Sequence, residues 1–131
     1  MNTLYKFAEL GGRVFLAAIF LLSGLGKIGQ YAGTQAYMAS AGVPGQLLAL
    51  VIALEIVGAV AIVIGWHTRF AALALAGFTL VAGLLFHANF QDQIAMIMFM
   101  KNIAIIGGFM LLFVHGAGAW SLDARRVIES R

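Results

Sequence analysis

Residues 46–65 read "QLLALVIALEIVGAVAIVIG", an apolar run in which Glu55 is the only charged side chain. An α-helix needs about 20 predominantly apolar residues to cross the hydrocarbon core of a bilayer. This stretch therefore predicts a transmembrane helix. Its carboxyl group lies about nine residues from the helix start, which at about 1.5 Å per residue places it well inside the membrane.

The composition of the whole chain extends this prediction. Of its 131 residues, 63% are hydrophobic and 10% are charged, and the mean hydropathy is +0.99. Soluble domains contain roughly half apolar and about a quarter charged residues, so the composition indicates a membrane protein with room for one domain of four spans. The chain has no cysteine, which excludes thiolate nucleophiles, disulfide exchange and cysteine-held metal clusters.

We predict a single transmembrane domain with spans at about residues 9–29, 46–65, 70–86 and 93–119, followed by a basic cytoplasmic tail at 120–131. Between the first two spans, a small, polar and uncharged stretch predicts a short helix on the membrane surface, with Thr34 as its N-cap. The fold class expected is an all-α integral membrane protein. It is an antiparallel four-helix transmembrane bundle with a short interfacial helix between spans 1 and 2.

The positions of lysine and arginine predict the orientation of the chain. With four spans, both termini lie on one side, and that side collects most of the basic residues: Lys6, Arg13, Arg69, Arg125, Arg126 and Arg131. The opposite side has only Lys27 and Lys101. By the positive-inside rule, the protein lies in the bacterial cytoplasmic membrane with both termini in the cytoplasm. The scattered positive charge indicates contact with anionic lipid rather than with nucleic acid.

Two opposite charges are expected at one depth of the bundle. Glu55 and Lys101 both lie on helices entered from the outer side, and each is about 12–14 Å along its helix. A charge in hydrocarbon costs several kcal/mol and usually faces the bundle interior or an opposite charge. We therefore predict that Glu55 and Lys101 pair, either as a structural ion pair or as the catalytic groups of a site.

Further polar residues are expected to complete an outward-opening pocket around this pair. Lys27 lies at the outer end of the first span with Ser23 one turn before it, and Asn102 and His87 lie on the same side of the membrane. We assign these four to a hypothetical quinone-binding pocket. Lys27 has the alternative of reaching lipid phosphate, and Ser23 that of bonding its own helix backbone.

Two other groups of residues have the types found in metal and haem sites. His67 and His115 lie near the cytoplasmic ends of their spans, where a haem would need both rings at one level, and interfacial histidines are the commoner interpretation. The methionines at positions 96, 98 and 100 have the residue type of a copper site, but their alternate spacing divides them between helix faces. The sequence therefore predicts no metal site, and no haem.

The residues also resemble a known family. The stretches "FLLSGLGKI" at 20–28, "AGVP" at 41–44, "GWHTR" at 65–69 and "KNIAIIGGFMLLFVHGAGAWSLD" at 101–123 together resemble the DoxX family of small four-helix bacterial membrane proteins. The resemblance covers about residues 10–124. It implies a four-helix bundle in the cytoplasmic membrane and a link to redox chemistry, since some relatives resemble a subunit of thiosulfate:quinone oxidoreductase. The polar positions that match are Arg13, Ser23, Lys27, Glu55, Lys101 and Asn102.

Three classes of function remain open at this point. In a quinone-linked redox component, Lys27 and Lys101 would stabilise a quinol oxygen and Glu55 would accept its proton. A protein partner would supply electrons, because no flavin or nicotinamide motif is recognisable. The alternative is a noncatalytic membrane subunit or assembly factor of a redox or stress-response complex. A proton-coupled transporter is the third class, and it would require a homo-oligomer because the chain has no inverted repeat.

Overall fold

The computed structural model describes residues 3–86 and 91–129, with side chains through residue 125. Its helices, in chain order, are α1 (Thr3–Gly29), α2 (Tyr31–Ser40), a 3₁₀ turn (Gly45–Leu47), α3 (Leu48–Ile64), α4 (Thr68–Phe86), α5 (Gln93–His115) and α6 (Leu122–Glu129). Four helical segments are long and apolar enough to cross a membrane: α1, the 3₁₀ turn with α3, α4, and α5. The predicted all-α, four-helix membrane fold with a short helix between the first two spans is confirmed.

The spans pack in a ring around a small apolar core. α1 lies against α3, α3 against α4, and α4 against α5, whereas α1 and α5 touch only sparsely. Consequently α3 and α5 stand across the bundle from each other. The core residues are Ala17, Phe20, Ala59, Ile62, Ala72, Leu75 and Phe109.

Large apolar side chains cover the outside of this ring. Phe15, Phe70 and Ile94 are 81%, 74% and 72% exposed. Such exposure would favour aggregation in water, but it is what a hydrocarbon solvent requires of a bundle surface. The outer surface of the bundle therefore faces lipid.

Short connections set the antiparallel order. Gly65 ends α3 in the left-handed region with a φ of 73°, and α4 begins at Thr68. Asp92 is the N-cap of α5, since its carboxylate accepts from the Ile94 N–H at 3.1 Å. Gly116, at a φ of 78°, ends α5 at His115, earlier than the predicted end at about 119.

The short helix α2 covers one end of the bundle, which we call the α2 end; the opposite end, with the start of α1 and with α6, is the terminal end. Met38 of α2 packs in a second buried cluster with Leu48 and Ile52 of α3. The Gln35 side-chain amide donates to the Gly45 carbonyl at 3.2 Å. The prediction that Thr34 is the N-cap was wrong, because α2 begins at Tyr31. The Thr34 hydroxyl instead donates to the Gln30 carbonyl, one turn earlier.

Candidate functional site

A buried ion pair lies in the α2 half of the bundle. Glu55 of α3 is only 2% exposed, and its Oε1 accepts a hydrogen bond from the Lys27 ammonium of α1. Lys27 Nζ also donates to Ser23 Oγ, one turn earlier on α1, at 2.9 Å. The buried carboxylate therefore has the charged partner that burial requires, and the ammonium is held at two points.

A glycine on α1 allows this pair to form. A Cβ placed on Gly24 would lie 2.7 Å from Ile56 Cγ1 and 3.5 Å from Glu55 Cβ. Only a residue without a side chain lets α1 approach α3 this closely. The close approach brings Lys27, one turn further along α1, within reach of Glu55.

The predicted pairing of Glu55 with Lys101 was wrong. Glu55 pairs with Lys27, whereas Lys101 is exposed and its Nζ donates to Met98 Sδ at 3.6 Å. The physical reason is the order of the helices, because α1 is a neighbour of α3 and α5 is not. Equal depth along two helices was not sufficient to make the two charges partners.

Glu55 and Lys101 nevertheless line one cavity, here called the α2-end cavity, of about 340 Å³. Its polar wall is formed by Ser23, Lys27, Thr34, Glu55, Thr79, Lys101 and Asn102. Its apolar wall includes Phe20, Tyr37, Met38, Phe78, Phe86 and Met98. The structure thus brings together five of the six residues assigned to the site from sequence. The sixth, His87, lies outside the described residues.

Asn102 is held in place by the neighbouring span. Its Nδ2 donates to the Thr79 carbonyl of α4 at 3.3 Å, and Gly83 leaves room for it, since a Cβ there would lie 3.0 Å from that nitrogen. The Thr79 hydroxyl in turn donates to the Leu75 carbonyl at 2.6 Å. Asn102 therefore presents its carboxamide from a fixed position on the cavity wall.

Sequence reasoning missed the aromatic part of this wall. Tyr37 of α2 stacks on Phe86 of α4, with ring centroids 5.2 Å apart, and Lys27 Nζ lies 6.0 Å from the centroid of the Phe78 ring. The ammonium is close enough to that ring for a weak cation–π attraction. No periodicity signals these contacts, because they depend on how α2 folds back onto α4.

A second polar cluster lies at the terminal end. Arg13 of α1 is 2% exposed; its Nη1 donates to the Ile62 carbonyl at 3.4 Å, and its Nη2 donates to the Trp120 carbonyl. We call these three residues the Arg13 clamp. Arg13 therefore faces the interior of the bundle rather than the headgroups.

The Asp123 carboxylate closes the same end of the bundle. Its two oxygens accept from the backbone N–H groups of His67 and Thr68, both at 2.8 Å, at the start of α4. Partial burial on its own would raise the pKa of the Asp123 carboxyl. The hydrogen bonds from Thr68 and His67 outweigh it and lower that pKa below its ordinary value.

The histidines and methionines weighed as ligands lie apart. His67 lines a depression with Asp123 beside the start of α4, whereas His115 lines a groove between α1 and α5. Met98 lines the α2-end cavity, while Met96 and Met100 are 39% and 51% exposed. His67 and His115 therefore line two separate depressions.

Comparison with known proteins agrees with this architecture. A family model described as DoxX matches residues 8–88. The chain is 49% identical over 123 residues to Inner membrane protein YqjF of Escherichia coli (strain K12), covering 94% of this chain and 95% of that protein. It is 38% identical over 120 residues to Inner membrane protein YphA of the same organism, covering 86% of each. No solved structure matches the chain.

Proposed function

Since the chain belongs to the DoxX family, we propose that it is a quinone-linked redox component. In this proposal, the α2-end cavity holds the headgroup of a quinone. One observation carries this proposal. A buried Lys27–Glu55 pair and a second ammonium, that of Lys101, line a single amphiphilic cavity inside an apolar bundle. The cavity lies within the size range of about 300–1,000 Å³ that small-molecule sites have.

The polar wall suits a ligand that bears carbonyl oxygens. The described residues give Lys101 no carboxylate partner, so its ammonium is available to donate to an oxygen in the cavity. Hydrogen bonds from charged donors are worth about 1.5–3 kcal/mol, and they strengthen where water is excluded. Phe78, Tyr37 and Phe86 supply flat apolar surfaces for a ring.

Quinone reduction consumes two electrons and two protons for each quinol formed. The residues of this chain can handle protons but not electrons, so we assign the electrons to a protein donor that docks on the bundle. Glu55 exchanges one proton with a quinone oxygen: it donates when protonated during reduction, and it accepts during the reverse reaction. The Lys101 ammonium, which also lines the cavity, exchanges the second proton with the other oxygen. Lys27 and Lys101 stabilise the negative charge that develops on oxygen.

Binding of a short-tail ubiquinone analogue to the purified protein in nanodiscs tests the proposal. We expect saturable binding that weakens about tenfold or more in Lys101→Met, because one charged hydrogen bond is lost, and that Lys101→Arg partly restores. Lys6→Met is the matched control, since Lys6 lies near the start of α1 at the terminal end. Absence of saturable binding, or equal binding by Lys101→Met and the parent protein, would contradict the proposal.

We also propose that the α2 end faces outward and that both termini lie in the cytoplasm. The proposal rests on the lysine and arginine residues gathered at the terminal end, which include Lys6, Arg69 and Arg125. A reporter domain that is active only in the cytoplasm should therefore be active when it is fused to either terminus. Activity of a C-terminal reporter that works only outside the cytoplasm would contradict the proposed orientation.

A further inference from the structure

The α2-end cavity has a mouth on one side of the bundle. Two of the residues that line the cavity are exposed: Ile19 of α1 and Lys101 of α5. The exposed fraction of Ile19 is 39%. Tyr37 of α2, which also lines the cavity, is 54% exposed. The mouth therefore lies between α1 and α5, beneath α2.

In the other three seams of the ring, tight glycine contacts hold neighbouring helices together, beside the cavity at Gly24 and Gly83 and nearer the core at Gly58. A Cβ on Gly24 would meet α3 at 2.7 Å, and one on Gly58 would meet Leu75 of α4 at 3.0 Å. A Cβ on Gly83 would meet Asn102 of α5 at 3.0 Å. No space remains at these three places for a ligand to pass between the helices.

The seam between α1 and α5 is bridged only deeper in the bundle. Phe20 and Phe109 approach with ring centroids 5.5 Å apart, and a Cβ on Gly108 would lie 3.3 Å from Leu16. Phe20 forms the floor of the cavity. Above this floor, toward the α2 end, residues of both α1 and α5 line the cavity.

The depth of the mouth determines what it opens into. Ile19 precedes the end of α1 at Gly29 by about 15 Å along the helix, and Lys101 follows the start of α5 at Gln93 by about 12 Å. Half of a hydrocarbon core is about 15 Å thick. At this distance from the helix ends, we expect the mouth to open into lipid rather than into water.

We propose that the α1/α5 seam is a lateral gateway, through which the cavity takes an amphiphile with a polar ring inside and a long apolar tail that remains in the bilayer. The identity of the headgroup rests on the proposed function. The position of the gateway rests only on the geometry of the α1/α5 seam. The substrate class is then a membrane-dissolved isoprenoid quinone rather than a water-soluble one.

A photoreactive lipid tests the gateway without any quinone. The protein is placed in nanodiscs whose phospholipid carries a diazirine in the middle of one acyl chain, and labelled residues are located by mass spectrometry. We expect label on the cavity-lining residues Glu55 and Asn102. In Ile19→Trp, that label should fall about fivefold or more, because the large indole ring would occupy the mouth of the cavity.

Leu22→Trp is the matched control, because Leu22 is on the same helix, is 69% exposed and does not line the cavity. Its cavity labelling should equal that of the parent protein. Lys101→Trp fills the mouth from the α5 side, and it replaces Ile19→Trp if the latter does not fold. Cavity residues that stay unlabelled in the parent protein, or label that Trp at either rim leaves unchanged, would overturn the gateway.

A second measurement compares two quinones, one with a single isoprene unit and one with a long polyisoprenoid tail. In Ile19→Trp, the long-tail quinone should lose about tenfold or more in affinity, equivalent to about 1.4 kcal/mol, because its tail can no longer leave the cavity. The short-tail quinone, which fits inside, should lose much less. If neither quinone binds the parent protein, the proposed function fails while the photolabelling still decides the gateway.

Discussion

Replacing Lys27 with methionine is expected to destabilise the bundle by about 3–5 kcal/mol, because the Glu55 carboxylate would remain buried without its partner. Glu55→Gln should cost less. The ammonium left behind in that variant is 26% exposed and carries a flexible stem that can reach toward the membrane surface. Unfolding of the purified variants in detergent, followed by circular dichroism, measures both values.

The double variant Lys27→Met/Glu55→Gln separates a structural pair from a functional one. Without either charge of the pair, it should recover most of the stability that Lys27→Met loses, since the two sites are strongly coupled. A purely structural pair predicts that quinone binding recovers as well. The proposed site predicts recovered stability with binding still lost, so full recovery of binding would remove Lys27 and Glu55 from the functional site.

Gly65→Ala is the second change with a large expected effect, at about 2–5 kcal/mol of lost stability. The φ of 73° at Gly65 costs an L-residue about 1–2 kcal/mol, and the added Cβ forces a further rearrangement of tightly packed atoms. That Cβ would overlap Ser121 Cβ and the Nη1 atom of Arg13. The variant therefore disturbs both the turn that ends α3 and the hydrogen bonds of the Arg13 clamp.

Gly77→Ala is the control for the Gly65 variant. Gly77 is exposed on α4, and a Cβ there meets no other atom within 4 Å. Alanine should stabilise the helix there by roughly 0.5–1 kcal/mol. Equal thermal stability of the Gly65→Ala and Gly77→Ala variants would show that neither the left-handed turn nor the Ser121 contact matters to the bundle.

The sequence predicted the fold, and which residues line the α2-end cavity, better than it predicted the contacts between individual side chains. Glu55 was recognisable as a buried group because it interrupts a long apolar run, and the penalty for charge in hydrocarbon does not depend on tertiary detail. Its partner was not recognisable. The choice between Lys27 and Lys101 depends on whether α1 or α5 is the neighbour of α3, and helix periodicity contains no information about that order.

The same limit applies to the contacts made by irregular segments. The Arg13 side chain finds the Trp120 carbonyl only because Gly116 and Gly118, at φ values of 78° and 90°, turn the chain back under the bundle. Tyr37 reaches Phe86 only because α2 folds over the cavity. Such contacts follow from backbone turns of a few residues, whose geometry is not determined by composition or hydrophobic pattern.

The Arg13 clamp has a consequence for how the protein is made. Synthesis proceeds from the N-terminus, so the guanidinium enters the membrane with α1, while the Trp120 carbonyl lies 107 residues later in the chain. Until Trp120 leaves the ribosome, that charge must be solvated by headgroups or by water in the insertion machinery. A chain interrupted before this point would lack one of the two backbone carbonyls that accept from Arg13. The clamp can therefore close only after α1, α3 and the segment that holds Trp120 are all in place.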